Sequence, residues 1–103
     1  MTRGLRFAVN RLRKLQDAAF NGKIDSYKCV LMSIDIYNHH YDDHDHASVT
    51  VTITAINDDD TSKRLHYDCS DDENIWGIVG EGDDTMTHDE FLQYVAQFVD
   101  YPV

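Results

Sequence analysis

The sequence predicts one α+β domain over residues 1–103: an N-terminal helix, a three-stranded antiparallel meander, a short helix and a C-terminal helix. Apolar residues recur at helical spacing near both ends of the chain, and they alternate with polar residues over its middle. The length suits a single domain, and no repeat or linker divides it. Helices packed on one face of the sheet would bury both sets of apolar residues at once.

Residues 3–21 have the pattern of an amphipathic helix that Gly22 would end. Its apolar face contains one polar residue, Gln16. The apolar members are Leu5, Ala8, Val9, Leu12, Leu15, Ala19 and Phe20. The cations on the remaining surface are Arg3, Arg6, Arg11, Arg13 and Lys14. Phe7 lies among these cations, where we expect an exposed apolar side chain.

The middle of the chain predicts three strands, over residues 28–37, 48–56 and 63–69, because apolar and polar residues alternate with a period of two. Asn57–Asp60 supplies a turn between the second and third strands. Cys29 and Cys69 fall inside strands, where a reduced cysteine behaves as a small hydrophobe. We therefore expect two reduced thiols, with a structural disulfide as the alternative in an oxidising compartment.

Two segments have the form of a helix-starting capping box. Ser70–Glu73 precedes residues 74–79, which we interpret as a short helix, although Gly77 makes a fourth strand the alternative. Thr87–Glu90 opens the C-terminal helix, which is expected to end near Pro102. Met86 and Phe91 occupy the two positions of a hydrophobic staple around this second box.

Charge is distributed unevenly along the chain. Residues 1–28 carry seven basic and two acidic side chains, a net +5, whereas residues 29–103 carry two basic and seventeen acidic ones, a net −15. Solubility alone requires a net charge of only ~2–8 on a small domain. The excess of carboxylates over residues 29–103 indicates a partner whose own surface is basic.

The predicted partner-binding surface consists of acidic residues in the loops that follow the first and third strands and before the last helix. These residues are Asp42, Asp43, Asp45, Asp68, Asp71, Asp72, Glu73, Glu81, Asp83 and Asp84. Strongly basic clefts are typical of nucleic-acid-binding proteins, where phosphate neutralisation dominates affinity. Acidity inherited from the host proteome, as in salt-adapted organisms, is the alternative explanation.

The loop after the first strand also contains four histidines, His39, His40, His44 and His46. Imidazole and carboxylate groups can bind zinc, copper or nickel, so these residues are the candidate metal ligands. Their spacing matches no established metal site, and a hairpin loop does not fix tetrahedral geometry. We therefore expect no cofactor, with a metal-binding module as an alternative function.

Motifs for catalysis are absent from the sequence. No Gly-x-Ser-x-Gly elbow occurs, and neither cysteine lies at a predicted helix N-terminus beside a base. The glycines of Trp76–Gly82 lack the lysine of a phosphate-binding loop. The prediction is a non-enzymatic binding protein with no direct contact with nucleic acid or membrane. It is expected in the cytoplasm, or in the host cytoplasm if a phage encodes it.

The order of predicted elements resembles the double-stranded-RNA-binding domain. That family grips phosphates with lysines at the start of its last helix. Here His88, Asp89 and Glu90 occupy that position and would repel RNA.

In length, acidity and element order the whole chain is also similar to small phage-borne anti-CRISPR and anti-restriction inhibitors. That similarity is one of architecture, and it implies a DNA mimic that covers the nucleic-acid-binding surface of a defence nuclease. An immunity or antitoxin-like protein that binds a basic enzyme is the alternative.

Overall fold

A computed structural model describes residues 1–17, 23–24, 26–40, 45–71, 74–78 and 85–97. Within these ranges the chain forms two helices and one six-stranded sheet, which confirms the α+β class. In chain order the elements are α1 (Arg3–Asp17), β1 (Lys23–Ile24), β2 (Tyr27–His40), β3 (Asp45–Ile56), β4 (Ser62–Ser70), β5 (Ile75–Ile78), β6 (Thr85–Thr87) and α2 (His88–Ala96). Neither described helix is long and apolar enough to cross a membrane.

The sheet has the strand order β1-β2-β3-β4-β5-β6, and every pair of neighbours is antiparallel. The β2–β3 pairing extends to His40↔Asp45, whereas the β3–β4 pairing ends at Ser48↔Ser70. The β2–β3 hairpin therefore projects beyond β4 by three residues, about 10 Å at the usual rise of ~3.4 Å per residue.

The short helix predicted over residues 74–79 is wrong, because residues 75–78 form β5. Ser70–Glu73 has the form of a capping box, but Ser70 is the last residue of β4 and pairs with Ser48, and the Asp71 carboxylate beside it accepts hydrogen bonds from the Thr2 and Ala47 N–H groups. Asn74 has a left-handed φ of 54°, which turns the chain from β4 into β5. The predicted count of three strands is therefore too low. The two-residue β1 and three-residue β6 are also additional to it.

The core lies between the two helices and one face of the sheet. Its main members are Leu5, Ala8, Val9, Leu12 and Leu15 of α1, Met32, Val49, Val51, Ile53, Tyr67 and Trp76 of the sheet, and Phe91 and Val95 of α2. The Trp76 and Phe91 rings stack with centroids 4.4 Å apart. Gln16, the polar residue on the apolar helix face, donates its side-chain amide to the Met32 carbonyl oxygen at 3.0 Å.

The start of α2 can be compared with the sequence prediction. The capping box at Thr87 and Glu90 is confirmed, since each side chain accepts from the backbone N–H of the other residue. Of the predicted staple pair, Phe91 belongs to the core, and Met86 is half-buried and packs against the core. The predicted ends of the two helices, over residues 18–22 and near Pro102, lie outside the described residues.

Candidate functional site

The face of the sheet opposite the helices carries a row of mostly polar side chains along each central strand. We term it the open face, and its residues are Leu31, Ser33, Asp35 and Tyr37 of β2, Thr50, Thr52 and Thr54 of β3, and Arg64, His66 and Asp68 of β4. All of them are exposed or half-buried. They alternate with the core residues of the same strands, as the pleat of a strand requires.

Cross-strand pairing holds two carboxylates of the open face at a fixed separation. Asp35 pairs with Thr50, and Thr50 pairs with Asp68. Because one strand lies between them, the two aspartates are about 10 Å apart, twice the usual strand spacing. The neighbouring row is tied by a hydrogen bond of 3.0 Å between the Thr52 hydroxyl and Nδ1 of His66. This face can therefore present negative charge on rigid backbone.

Asp71 is a structural carboxylate at one end of the sheet. Its side chain is only 10% exposed. One carboxylate oxygen accepts from the Thr2 backbone N–H at 2.8 Å, and the other accepts from the Ala47 N–H at 2.9 Å. The Met1 ammonium group lies 3.5 Å away. Partial burial acts to raise the pKa of Asp71, but these hydrogen bonds and the ammonium charge outweigh it, so the pKa lies below its usual value.

The structure describes three of the ten predicted partner-binding carboxylates. Asp68 is exposed on the open face, Asp71 is largely buried, and Asp45 begins β3. Asp42, Asp43, Asp72, Glu73, Glu81, Asp83 and Asp84 lie outside the described residues. Sequence reasoning did not select Asp35, the open-face partner of Asp68 across Thr50. The alternation of apolar and polar residues along the first strand was the available signal, since it places Asp35 on the polar face of that strand.

The turn between β3 and β4 contains a second group of aspartates, and their role there is to stabilise the local structure of the turn. Asn57 N–H donates to the Thr61 carbonyl at 2.8 Å, and Asp60 follows with a left-handed φ of 65°. The Thr61 hydroxyl and backbone N–H both donate to the Asp59 carboxylate, which lowers the pKa of that group below its usual value. These aspartates therefore shape the hairpin at the end of β3 opposite Asp71.

The cations of α1 remain on the outer surface of the helix. Arg3, Arg6, Arg11, Arg13 and Lys14 are all exposed, and Phe7 between them is 56% exposed. Among the residues that the structure describes, none of these five cations forms an ion pair with a carboxylate. The basic helix therefore does not neutralise the described carboxylates through direct contacts.

The histidines of the β2–β3 hairpin are only partly described. His39 and His46 are cross-strand neighbours with ring centroids 5.9 Å apart, and His40 pairs with Asp45 in the backbone register. His44, Asp42 and Asp43 lie outside the described residues. Within the described ranges, no group of three His, Cys, Asp or Glu side chains is arranged to hold a metal ion.

His88 is a half-buried polar residue that sequence reasoning assigned only to the start of α2. Its Nδ1 accepts a hydrogen bond of 2.9 Å from Nε1 of Trp76, so the proton of the neutral ring is on Nε2. Nε2 is buried without a hydrogen-bond partner in the described structure. Burial lowers the pKa of His88, and the nearby Asp89 opposes that effect. In the sequence, Trp76 was the available signal, because a buried indole N–H needs a hydrogen-bond acceptor.

Neither cysteine has the environment of a catalytic thiol. Cys29 and Cys69 are buried in β2 and β4. Burial raises the pKa of Cys29 to about 11, so this thiol stays protonated at neutral pH.

Comparisons with protein-family models, with curated proteins and with solved structures find no match to this chain. The function is therefore argued from charge and geometry.

Proposed function

We propose that this protein is a small acidic binding protein that covers the basic nucleic-acid-binding surface of another protein. In this proposal it is a DNA mimic of the anti-CRISPR or anti-restriction class. The observation that carries the proposal is the net charge of −15 over residues 29–103. Carboxylates that replace phosphates on a cationic cleft exploit the same electrostatic attraction that binds nucleic acid.

The placement of the described carboxylates supports this proposal in two ways. The cations of α1 form no ion pairs with carboxylates in the described ranges, so the negative charge remains available to a partner. Asp35 and Asp68 are also fixed by strand pairing across Thr50. Charges on a rigid scaffold lose little conformational entropy on binding, which favours affinity.

Asp71 has to be removed from the set of residues used to test the proposal. Its carboxylate holds the backbone of Thr2 and Ala47, so a charge reversal there would damage the fold as well as any interface. The informative variant is Asp68→Asn/Asp72→Asn/Glu73→Gln. Its matched control is Asp17→Asn/Asp58→Asn/Asp60→Asn, which also changes the net charge from −10 to −7.

The experiment is capture of host proteins on the immobilised protein at low salt, followed by elution with short duplex DNA. If the protein is a DNA mimic, duplex DNA should release the captured partner, and capture should weaken steeply as ionic strength rises. The Asp68/Asp72/Glu73 variant should lose capture, while its control should retain it. Equal capture by both variants would show that the predicted surface is wrong. Capture that persists unchanged at high salt would refute the electrostatic proposal altogether.

The same experiment separates the alternative of an immunity or antitoxin-like protein. Such a protein would also bind a basic enzyme and depend on salt, because its charge is the same. Its target need not bind DNA, so duplex DNA would not release it. Release by salt but not by DNA would therefore favour this alternative.

The metal-binding module rests on a different observation, the cross-strand placement of His39 and His46. Titration calorimetry of the metal-free protein with zinc chloride distinguishes it from the acidic binding protein. Sub-micromolar binding that is lost in His39→Ala and His46→Ala would favour a metal function. Millimolar binding indicates only the weak affinity expected of exposed imidazoles.

A further inference from the structure

Strand β2 has two sides, and only one of them is paired with a neighbouring strand along most of its length. On one side β3 follows it to His40. On the other side β1 pairs with it only at Tyr27 and Lys28. Among the described residues, no strand pairs with the outer side of β2 from Cys29 to His40. An unpaired strand side is a template for another strand.

Hydrogen bonds elsewhere in the sheet determine which β2 residues direct their backbone groups outward. Asn57 N–H bonds to Thr61, and Asp71 N–H bonds to Ala47, so odd-numbered residues of β3 bond to β4. Even-numbered residues of β3 therefore form their hydrogen bonds with β2. The register pairs these even-numbered β3 residues with odd-numbered β2 residues. The even-numbered residues Ile34, Ile36 and Asn38 consequently direct their N–H and C=O groups away from the sheet.

Among the residues that the structure describes, the side chain of Gln16 marks where protection of this edge ends. It donates to the carbonyl oxygen of Met32, which belongs to the same outward-directed set. The next segment, Ser33–Asn38, contains no Lys, Arg or Pro, and the described β-bulge of β2 lies before it, between Cys29 and Leu31. Natural edge strands usually carry such features to prevent pairing with another chain. Asp35 is the only charged residue of Ser33–Asn38.

We propose that the outer edge of β2 pairs with the same edge of a second copy of this chain. The strands would run antiparallel about a two-fold axis at Tyr37. In this register Asp35 of each copy lies opposite His39 of the other, and Ile36 lies opposite Asn38. The register places outward-directed residues opposite each other, as hydrogen-bonded pairs require. The result is one continuous twelve-stranded sheet made of two six-stranded halves.

Charge complementarity selects a second copy as the occupant. Asp35 and His39 are equally distant from Tyr37 and lie on the same face of β2, so a two-fold axis at Tyr37 pairs acid with imidazole twice. An isologous interface requires this self-complementarity. Two molecules of net charge −10 repel each other, and Ser33–Asn38 adds only one carboxylate per copy to that repulsion.

Disulfide trapping tests the register directly. Tyr37 is 51% exposed, and in the proposed dimer the two copies of residue 37 form a non-hydrogen-bonded pair with Cα atoms about 4.5 Å apart. Tyr37→Cys should therefore form a covalent dimer rapidly under mild oxidation. The matched control is Leu31→Cys, which is 57% exposed on the same face, but in this register the two copies of residue 31 lie far apart on opposite sides of the two-fold axis. Cys29 and Cys69 are buried and remain unchanged in both variants.

Sedimentation of the unmodified protein from about 1 µM to about 1 mM provides the equilibrium test, with a reversible monomer–dimer transition as the expected result. Tyr37→Lys should weaken the dimer about tenfold, because it places two like charges opposite each other. Asp35→His alone should weaken it, and the swapped pair Asp35→His/His39→Asp should restore it. A protein that stays monomeric, or residue-37 crosslinking no faster than residue-31 crosslinking, would overturn the proposal, even if the edge pairs with a foreign strand.

Discussion

Asp71→Asn is the substitution that most directly tests how the N-terminal end of the chain is joined to the sheet. The aspartate accepts backbone hydrogen bonds from Thr2 at 2.8 Å and Ala47 at 2.9 Å. An asparagine keeps one acceptor oxygen but directs an NH2 group at one of these N–H donors. Hydrogen bonds to charged groups contribute about 1.5–3 kcal/mol each. Because the Thr2 bond lies at the surface, we expect a total loss of about 2 kcal/mol in the free energy of unfolding.

Urea denaturation measures this loss. With a typical m-value of about 1–3 kcal/mol/M, the midpoint should fall by about 1 M while m stays constant. Asp68→Asn is the control, because it removes the same charge from an exposed position three residues earlier in β4. Its effect should stay within about 0.5 kcal/mol. Equal effects of the two substitutions would refute the structural role of Asp71.

The pH dependence gives a second readout of the same interaction. The pKa of Asp71 is lowered in the folded protein, so its contribution is complete above the unfolded pKa of about 3.9 and is lost as the pH falls through the folded value. The difference in unfolding free energy between the native protein and Asp71→Asn should therefore be constant near neutrality and shrink below about pH 4. A difference that persists unchanged in acid would show that the carboxylate charge is not the cause.

Three further predictions concern residues outside the proposed interfaces. Because burial lowers the pKa of His88, the native protein should lose stability relative to His88→Gln as the pH falls below about 6.5. At neutral pH, ¹⁵N spectra should show that the proton of the neutral His88 ring is on Nε2. Asp60→Gly should be more stable than Asp60→Ala by about 1 kcal/mol in thermal unfolding, because φ is 65° at this position. Thr87→Ala should reduce the unfolding free energy by about 1 kcal/mol through loss of the α2 cap, whereas Thr85→Ala, exposed on β6, should have little effect in the same urea titration.

The parts of the fold that follow from local patterns could be predicted from the sequence. The capping box at Thr87 depends on residues three positions apart, so it is visible without tertiary information. The β5 strand could not be predicted in this way. Ser70–Glu73 has the same local form, but Ser70 is paired with Ser48 of β3, a long-range contact that the local pattern does not reveal. Short β1 and β6 are also below the length at which periodicity can be detected.

The candidate surface shows a similar division between local and long-range information. Composition indicated the charge excess, and alternation placed Asp68 on the polar face of its strand. The pairing of Asp35 and Asp68 across Thr50 requires the strand register, which periodicity alone does not fix. The role of Gln16 likewise required the position of α1 relative to the β2 edge, since its acceptor belongs to Met32 on another element.

The β2 edge and the acidic surface share Asp35 but differ in their other groups, so variants that leave Asp35 unchanged test the two proposals independently. Pairing at β2 depends on backbone groups of Ile34, Ile36 and Asn38, whereas electrostatic docking depends on side chains such as Asp68. Tyr37→Lys should therefore weaken the dimer and leave duplex-DNA-sensitive capture measurable on the monomer. The Asp68→Asn/Asp72→Asn/Glu73→Gln variant should lose capture and still form the residue-37 disulfide when Tyr37→Cys is added. If both functions were lost together in either variant, the two surfaces would be one interface, and the dimer would then be the form that binds the basic partner.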